Sequence, residues 1–466
     1  MNKLKELPNM AAFCYDYCDA KTSVITYTSK YSFVGGDIMI LCKDLKELVN
    51  RGGYDNTFVG LYPLRSTEDC RDRYAGAAGS FLDLFGNRPV TFISAPGRTE
   101  VSGNHTDHQR GIVLAASVDL DIICVVSPNN ENIVRVKSKG YPMDQIRLND
   151  LSVQPHEAET SAALIRGVAA WFSANGYKIG GFDAYTTSDV PGGSGLSSSA
   201  AFEVALGNIF AALYGPGPSP EEIAMAGQYA ENKYFGKPSG LMDQMASSVG
   251  GFVQIDFENP ESPRIEPIAF DLSEAGFHLC IVDTKGSHSN LTADYAAIPD
   301  EMRRVSEFFG KRYLRETDQD SFYKNLTYVR SIAGDRAVLR AIHFFNENAL
   351  VPKAARALKE GRLEDFLSLI IKSGYSSFTC LQNVFSPARP QEQGLSIALT
   401  LSEEILAGKG AWRVHGGGFA GTIQAFVPDI LLNEYRDMME TVFGAKACRI
   451  LTIRPKGGIE VIIERI

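Results

Sequence analysis

The sequence predicts a mixed α/β protein of two domains with an added N-terminal segment. Three observations predict it. Strand-like and helix-like runs interleave along the chain. At 466 residues it exceeds what one core usually serves. A Pro-rich break, Glu258–Pro267, falls near its middle. The expected division is an N-terminal extension at 1–65, one domain at 66–262 and a second at 263–466.

The first 65 residues mix short β-like runs (Ser23–Thr28, Asp37–Leu41) with a helical stretch, Lys43–Arg51. Phe13, Tyr15, Tyr27, Tyr31 and Phe33 make this segment too aromatic for a disordered tail, so it is expected to pack on the body. Glu68–Phe85 reads as an amphipathic helix, because Cys70, Tyr74, Ala77, Phe81 and Leu84 recur at three to four. Val90–Ser94, Ile122–Val126, Ile133–Val136 and Phe182–Thr187 read as strands. A helix is expected from Ser197 to Tyr214, stopped by Gly215. Another starts at Ser219-Pro220-Glu221-Glu222, a capping box with proline at the first helical position, and runs to Phe235 before Gly236. Gly250–Phe257 and Phe277–Asp283 are strand-like, 293–408 is mainly helical, and Thr422–Val427 and Glu460–Glu464 are β-like.

The net charge of −9 and pI of about 5.4 argue against a general nucleic-acid or anionic-membrane binder, while leaving room for a nucleotide held by local donors. No apolar run approaches the roughly 18 residues of a membrane span. Met1–Met10 is polar and lysine-bearing, unlike a secretory signal. Of eight cysteines only Cys14 and Cys18 lie close together, and no second pair completes a metal site. Reduced thiols in a cytoplasmic protein are expected. The sequence assigns no oligomeric state.

Three constellations carry chemistry. Ala95–Gln109 packs Arg98, Glu100, Asn104, His105, Asp107 and His108 into one segment rich in small residues. Singly these are loop residues; together they suit a hydroxyl-rich ligand, which needs many directional partners. Pro191–Ala200 is a glycine–serine turn opening a helix, where free N–H groups, a favourable dipole and hydroxyls can cradle phosphates. It lacks the Gly-Lys-Ser/Thr ending of a Walker A loop, and alone such a turn is usually an ordinary cap. Glu231–Gln244 places Glu231 at a helix C-terminus, unfavourable without a cation nearby, and Asp243 between apolar residues after a turn. Either acid alone reads as a solvated surface group. A weaker fourth feature is the glycine cluster from Arg413 to Thr422.

Taken together, these motifs resemble the GHMP family of small-molecule kinases and, within it, the galactokinases. Galactokinases carry G-R-V-N-L-I-G-E-H-T-D-Y; Gly97–His108 reads G-R-T-E-V-S-G-N-H-T-D-H. For their P-x-G-G-G-L-S-S-S-A, Pro191–Ala200 reads P-G-G-S-G-L-S-S-S-A. Glu231 leads at matching spacing to Gly240-Leu241-Met242-Asp243-Gln244, Gly416–Gly421 reads G-G-G-F-A-G, and Tyr295 follows His288-Ser289 at the family interval. Order and spacing agree over about residues 68–466.

The resemblance implies a two-domain α/β GHMP kinase fold with the active site in the inter-domain cleft. It implies ATP and Mg²⁺ as cofactors, and phosphorylation of galactose at its anomeric hydroxyl to galactose 1-phosphate. Asp243 would accept the sugar proton, and Arg98 would stabilise developing charge. Gly193, Ser194, Gly195, Leu196, Ser197, Ser198 and Ser199 would wrap the phosphates. Ser199 and Glu231 would hold Mg²⁺. Asn104, His105, Thr106, Asp107, Gly240 and Tyr295 would hold the sugar.

The departures lie in the sugar-reading loop. Galactokinases have Glu, reading the C6 end, where this chain has Asn104, and Asn where it has Glu100. If the two interact, the exchange preserves one carboxylate and one amide, and galactose stays the expected substrate. The rival expectation is galacturonate, since losing the acid at 104 relieves repulsion of a C6 carboxylate; the His108-Gln109 pair, similar to plant galacturonate kinases, is a second hint. A non-catalytic sugar sensor on the same fold is disfavoured by the presence of Arg98, Ser199, Glu231 and Asp243. A mevalonate or homoserine kinase is disfavoured by the sugar-type run His105-Thr106-Asp107.

Overall fold

A computed structural model describes residues 31–34, 37–192, 195–237, 239–286 and 291–463. Among these, two sheets organise the chain. The larger, of ten strands, runs β1 (Tyr31–Val34), β2 (Asp37–Leu41), β3 (Pro89–Ser102), β4 (Ile112–Pro128), β7 (Phe182–Ser188), β5 (Ile133–Ser138), β6 (Met143–Arg147). Its pairings are antiparallel except the parallel β5–β7. β8 (Phe252–Asp256) pairs with the first half of β4 and with β9 (Arg264–Ile268). The smaller sheet has the order β11 (Ala411–Val414), β12 (Thr422–Pro428), β10 (Phe277–Asp283), β13 (Cys448–Leu451), all antiparallel. The chain then returns to the first sheet, where β14 (Ile459–Val461) pairs with β3.

Strand alternation explains what covers each face of the large sheet. Ile93, Cys124, Val126 and Ala184 join the helices Ser161–Ala174, Ser198–Tyr214 and Pro220–Ala230 in one core. Phe92, Ile123, Val125 and Tyr185 point the other way and are covered by Cys42–Asn50, Asp55–Leu61 and Thr67–Phe85. Residues 42–61, from the expected extension, therefore complete the second layer of the sheet and pack on the body as anticipated. Ser23–Thr28, Phe13, Tyr15 and Tyr27 lie outside the described residues. Cys70, Tyr74, Ala77 and Phe81 are buried as the periodicity requires, but Leu84 is exposed near the helix end.

Three expectations needed lengthening or redrawing. β3 and β4 run well past the apolar runs that announced them, to Ser102 and back to Ile112, because buried polar side chains find distant partners, Thr99 with His415 and Gln424 and Ser117 with the Arg454 carbonyl. The expected boundary at 262/263 falls inside the β8–β9 hairpin, and sheet membership changes only between Ile268 and Phe277. The helix expected to reach Phe235 is α-helical to Ala230 and continues as a π-turn, Glu231–Phe235, before Gly236 at φ +91°. Residues 293–408 are mainly helical as read. No helix among the described residues is long and apolar enough to cross a membrane.

Candidate active site

The candidate residues converge where the large sheet meets the second body. β3 carries register shifts between Pro96 and Arg98 and between Glu100 and Ser102. Such bulges re-aim side chains at a strand end, here Arg98 and Glu100. Arg98 grips Asp243 in two parallel bonds, Nε to Oδ1 at 2.7 Å and Nη2 to Oδ2 at 2.6 Å, and its Nη1 donates to the Gly195 carbonyl. Asp243 stands in the first turn of Met242–Val249, where the helix dipole favours a carboxylate. Burial alone would raise its pKa; the Arg98 guanidinium, with the Ser197 hydroxyl and Lys237, outweighs burial and holds it below the usual carboxylate range.

Ser197 sits just before its helix at φ +56°, a conformation rare outside glycine, and makes no capping bond. Its hydroxyl faces Asp243 instead. Leu196 is buried and fixes the turn by accepting from the Arg98 N–H at 3.0 Å. Gly195, Leu196, Ser197, Ser198 and Ser199 thus flank the Arg98–Asp243 pair at one helix start. Gly193 and Ser194 lie outside the described residues, as does the His288-Ser289 pair.

Glu231 has the cation its position demanded. Lys237 Nζ lies 2.7 Å from Oε1, and Ser239 Oγ and Gln244 Nε2 donate to Oε2 at 2.6 and 2.9 Å. The Ser199 hydroxyl is 3.4 Å from Oε1. A buried carboxylate that already takes a cation beside a hydroxyl is an oxygen donor set suited to Mg²⁺, which commonly uses one carboxylate with phosphates and water. No cluster of three or more His, Cys, Asp or Glu side chains among the described residues forms a metal cage.

In the loop after β3, Asp107 lies against Gly240: a Cβ added there would sit 2.5 Å from Oδ2, so any larger residue would push the Asp107 carboxylate aside. His105, at φ +58°, reaches the Gly417 carbonyl at 3.0 Å through Nε2. Burial depresses its pKa to about 4, keeping the ring neutral. The Tyr295 hydroxyl donates to the Gly418 carbonyl at 2.8 Å. Gly418 is required, because a Cβ there would meet the Asn383 carbonyl at 2.1 Å. The Thr106 hydroxyl is engaged within its own loop, with the Gly103 and Ile112 carbonyls 2.8 and 2.9 Å away.

Asn104 is fully buried, and its amide is engaged by protein: Nδ2 donates to Glu100 Oε1 at 2.8 Å and to the Gly416 carbonyl at 2.7 Å, while Oδ1 accepts from Asn383 at 2.8 Å. Glu100 and Asn104 therefore interact as the exchange of residue types suggested. Burial raises the pKa of Glu100, partly countered by Arg413, whose Nη2 lies 3.3 Å from Oε1.

Sequence reasoning missed Asn383, His343 and Glu347. The last two lie one helical turn apart on Asp335–Lys359 and brace the loop after β3, His343 through the Asn104 carbonyl at 2.9 Å and Glu347 through the Gly103 N–H at 2.8 Å. Their sequence signal was a row of polar residues, Arg340, His343 and Glu347, at three- and four-residue spacing on the buried face of one helix.

Residues 163–251 match the model of the GHMP kinase N-terminal domain, and residues 79–128 match the galactokinase galactose-binding signature. The fold is similar to that of Lactococcus lactis galactokinase, solved in complex with galactose (TM-score 0.69, 22% identity, 82% of this chain and 98% of that one). It is also similar to Methanococcus jannaschii mevalonate kinase (TM-score 0.56, 15% identity, 78% and 98%). A third likeness is Streptococcus pneumoniae phosphomevalonate kinase, solved with phosphomevalonate and AMPPNP (TM-score 0.52, 11% identity, 77% and 98%). At these identities the structures speak for the fold alone, while the two sequence matches show that the chain carries a GHMP kinase N-terminal domain and a galactokinase galactose-binding signature.

Proposed function

We propose that the protein transfers the γ-phosphoryl group of ATP to the anomeric hydroxyl of galactose, in galactose catabolism. The observation that carries this reading is the Arg98–Asp243 pair, set between a serine-opened helix start and a loop built for a polyol. Asp107, His105, Gly240 and Tyr295 orient the sugar, and residues 193–199 cradle the phosphates. Glu231 and Ser199 would hold Mg²⁺, which supplies charge neutralisation on the phosphates.

A carboxylate held below its usual pKa is a weak base in the ground state. That suits phosphoryl transfer, whose loose transition state asks for little deprotonation until late. Asp243 orients the anomeric hydroxyl and takes its proton as the oxygen–phosphorus bond forms and ADP departs. Arg98 keeps Asp243 ionised and offsets charge on the transferring group.

Galactose is favoured over galacturonate by the state of Asn104. Both N–H donors of its amide are engaged by protein, and only oxygen lone-pair capacity remains at that site, beside the Glu100 carboxyl. A hydroxyl can donate to such a site, whereas a C6 carboxylate meets repulsion. The test is ATP consumption by purified protein with galactose, galacturonate, N-acetylgalactosamine and arabinose, with the product identified by ³¹P NMR. Galactose 1-phosphate is expected. Turnover of galacturonate alone overturns the substrate, and no turnover with binding retained points to the sensor reading.

A further inference from the structure

Lys237 is unexplained by the mechanism above, yet it bonds the carboxylate assigned to the metal. The Glu231 side chain is 4% exposed, whereas that of Lys237 is 57% exposed. The oxygens of Glu231 are surrounded by donors: Lys237 and Ser199 at Oε1, Ser239 and Gln244 at Oε2. A metal ion can reach this carboxylate only by displacing one of them.

The partners differ in their freedom to leave. Ser199 is fixed in the first turn of Ser198–Tyr214. Gln244 is buried and tied at the same Nε2 to Glu203 at 2.9 Å. Ser239 is anchored through its N–H to Asn232 at 2.7 Å. Lys237 alone among the four holds Glu231 from a flexible, half-exposed stem, just beyond the left-handed turn at Gly236.

We propose that Lys237 is a displaceable internal cation: it occupies the metal's place on Glu231 in the metal-free protein, competes with the incoming ion, and swings to the nucleotide phosphates at the neighbouring Ser199 whenever nucleotide binds, with or without the ion. This rests on the kinase reading of the site. The competition weakens metal binding in the absence of nucleotide, and the second contact lets nucleotide bind without metal.

Two measurements on the full-length protein test it, with Lys237→Gln and Lys237→Met beside the charge-retaining Lys237→Arg. Circular dichroism establishes that each variant is folded. Titration with Mn²⁺ alone, followed by electron paramagnetic resonance, is expected to give roughly three- to tenfold tighter binding in the neutral variants, the range for a half-exposed charge-assisted bond, and parent-like binding in Lys237→Arg. Calorimetry with ATP in EDTA is expected to give weaker binding by a similar factor in the neutral variants. Equal Mn²⁺ affinity in parent and neutral variants overturns the competition, unchanged ATP affinity in EDTA overturns the phosphate contact, and no Mn²⁺ binding by any of them overturns the metal assignment itself. Galactose phosphorylation by the parent is run alongside. Transfer with unshifted Mn²⁺ affinity sinks only this inference; the expected shift without transfer sinks the kinase reading and keeps the cation site.

Discussion

Two arginine–aspartate pairs start from neighbouring positions on β3 and β4, Arg98 with Asp243 and Asp121 with Arg454, and their surroundings are opposite. Asp121 pairs across β3–β4 with Pro96, two residues from Arg98. It is fully buried and ringed by partners: Tyr62 and Ser94 hydroxyls, the Arg454 guanidinium at 3.1 Å, and Arg73 Nη1 2.5 Å from Oδ1 as an ion pair without hydrogen-bond alignment. Burial would raise its pKa, but the two arginines outweigh burial and bring it to about 2. Asp243 has one arginine and one serine, and its side chain is 28% exposed. A carboxylate enclosed by arginines and hydroxyls joins structure: Tyr62 comes from the N-terminal segment and Arg454 from the C-terminal return. One with an open side can take a substrate's proton.

The sharpest break of this comparison is Asp243→Asn, which keeps the shape and removes the acceptor charge. Turnover with galactose is expected to fall by about 10²–10⁴-fold with the thermal midpoint nearly unchanged, by steady-state kinetics and calorimetry. Asp121→Asn should reverse the pattern. The buried Arg454 loses its counter-charge and Arg73 is left with Asp189 alone, so stability should drop by about 3–5 kcal/mol in urea titrations, while kcat per folded molecule is kept. Equal loss of activity and stability in both variants would dissolve the distinction.

A smaller effect separates the regions by pH. His415, between Thr99 at 3.1 Å and Thr422 at 2.9 Å, has its pKa lowered to about 3 by burial and then by Arg98 and Arg413. Its folded pKa lies below the unfolded value of about 6.5, so between these pH values the unfolded chain binds more protons and stability falls as pH drops. Asp121 is also depressed, so its contribution is present above about pH 4 and is lost only as pH falls toward 2. His415→Gln should therefore flatten the stability change between pH 7 and 5 in denaturant titrations, and Asp121→Asn should leave that slope unchanged.

Legibility in the sequence followed locality. Gly97–His108, Pro191–Ala200 and Glu231–Gln244 were readable because their chemistry is packed into short segments with glycine, serine and capping signals. The helix Pro220–Ala230 began with the capping box read from Ser219 and Glu222. The extension of β3 to Ser102 was not readable, since the buried polar residues that carry it have no apolar alternation. The engagement of Asn104 was equally hidden: Asn383 and Gly416 lie some 280 and 310 positions away along the chain.

By itself the sequence determined the α/β composition, the capping box at Ser219, and which short segments gather charged side chains with glycine and serine, because these depend on neighbours a few residues apart. Only the tertiary structure decided that Arg98 clasps Asp243, that Glu100 and Asn104 share a bond, and that Lys237 balances Glu231. A charge inside a protein is set by what burial removes and which distant partner replaces water, and that partner is chosen by how the two sheets come together.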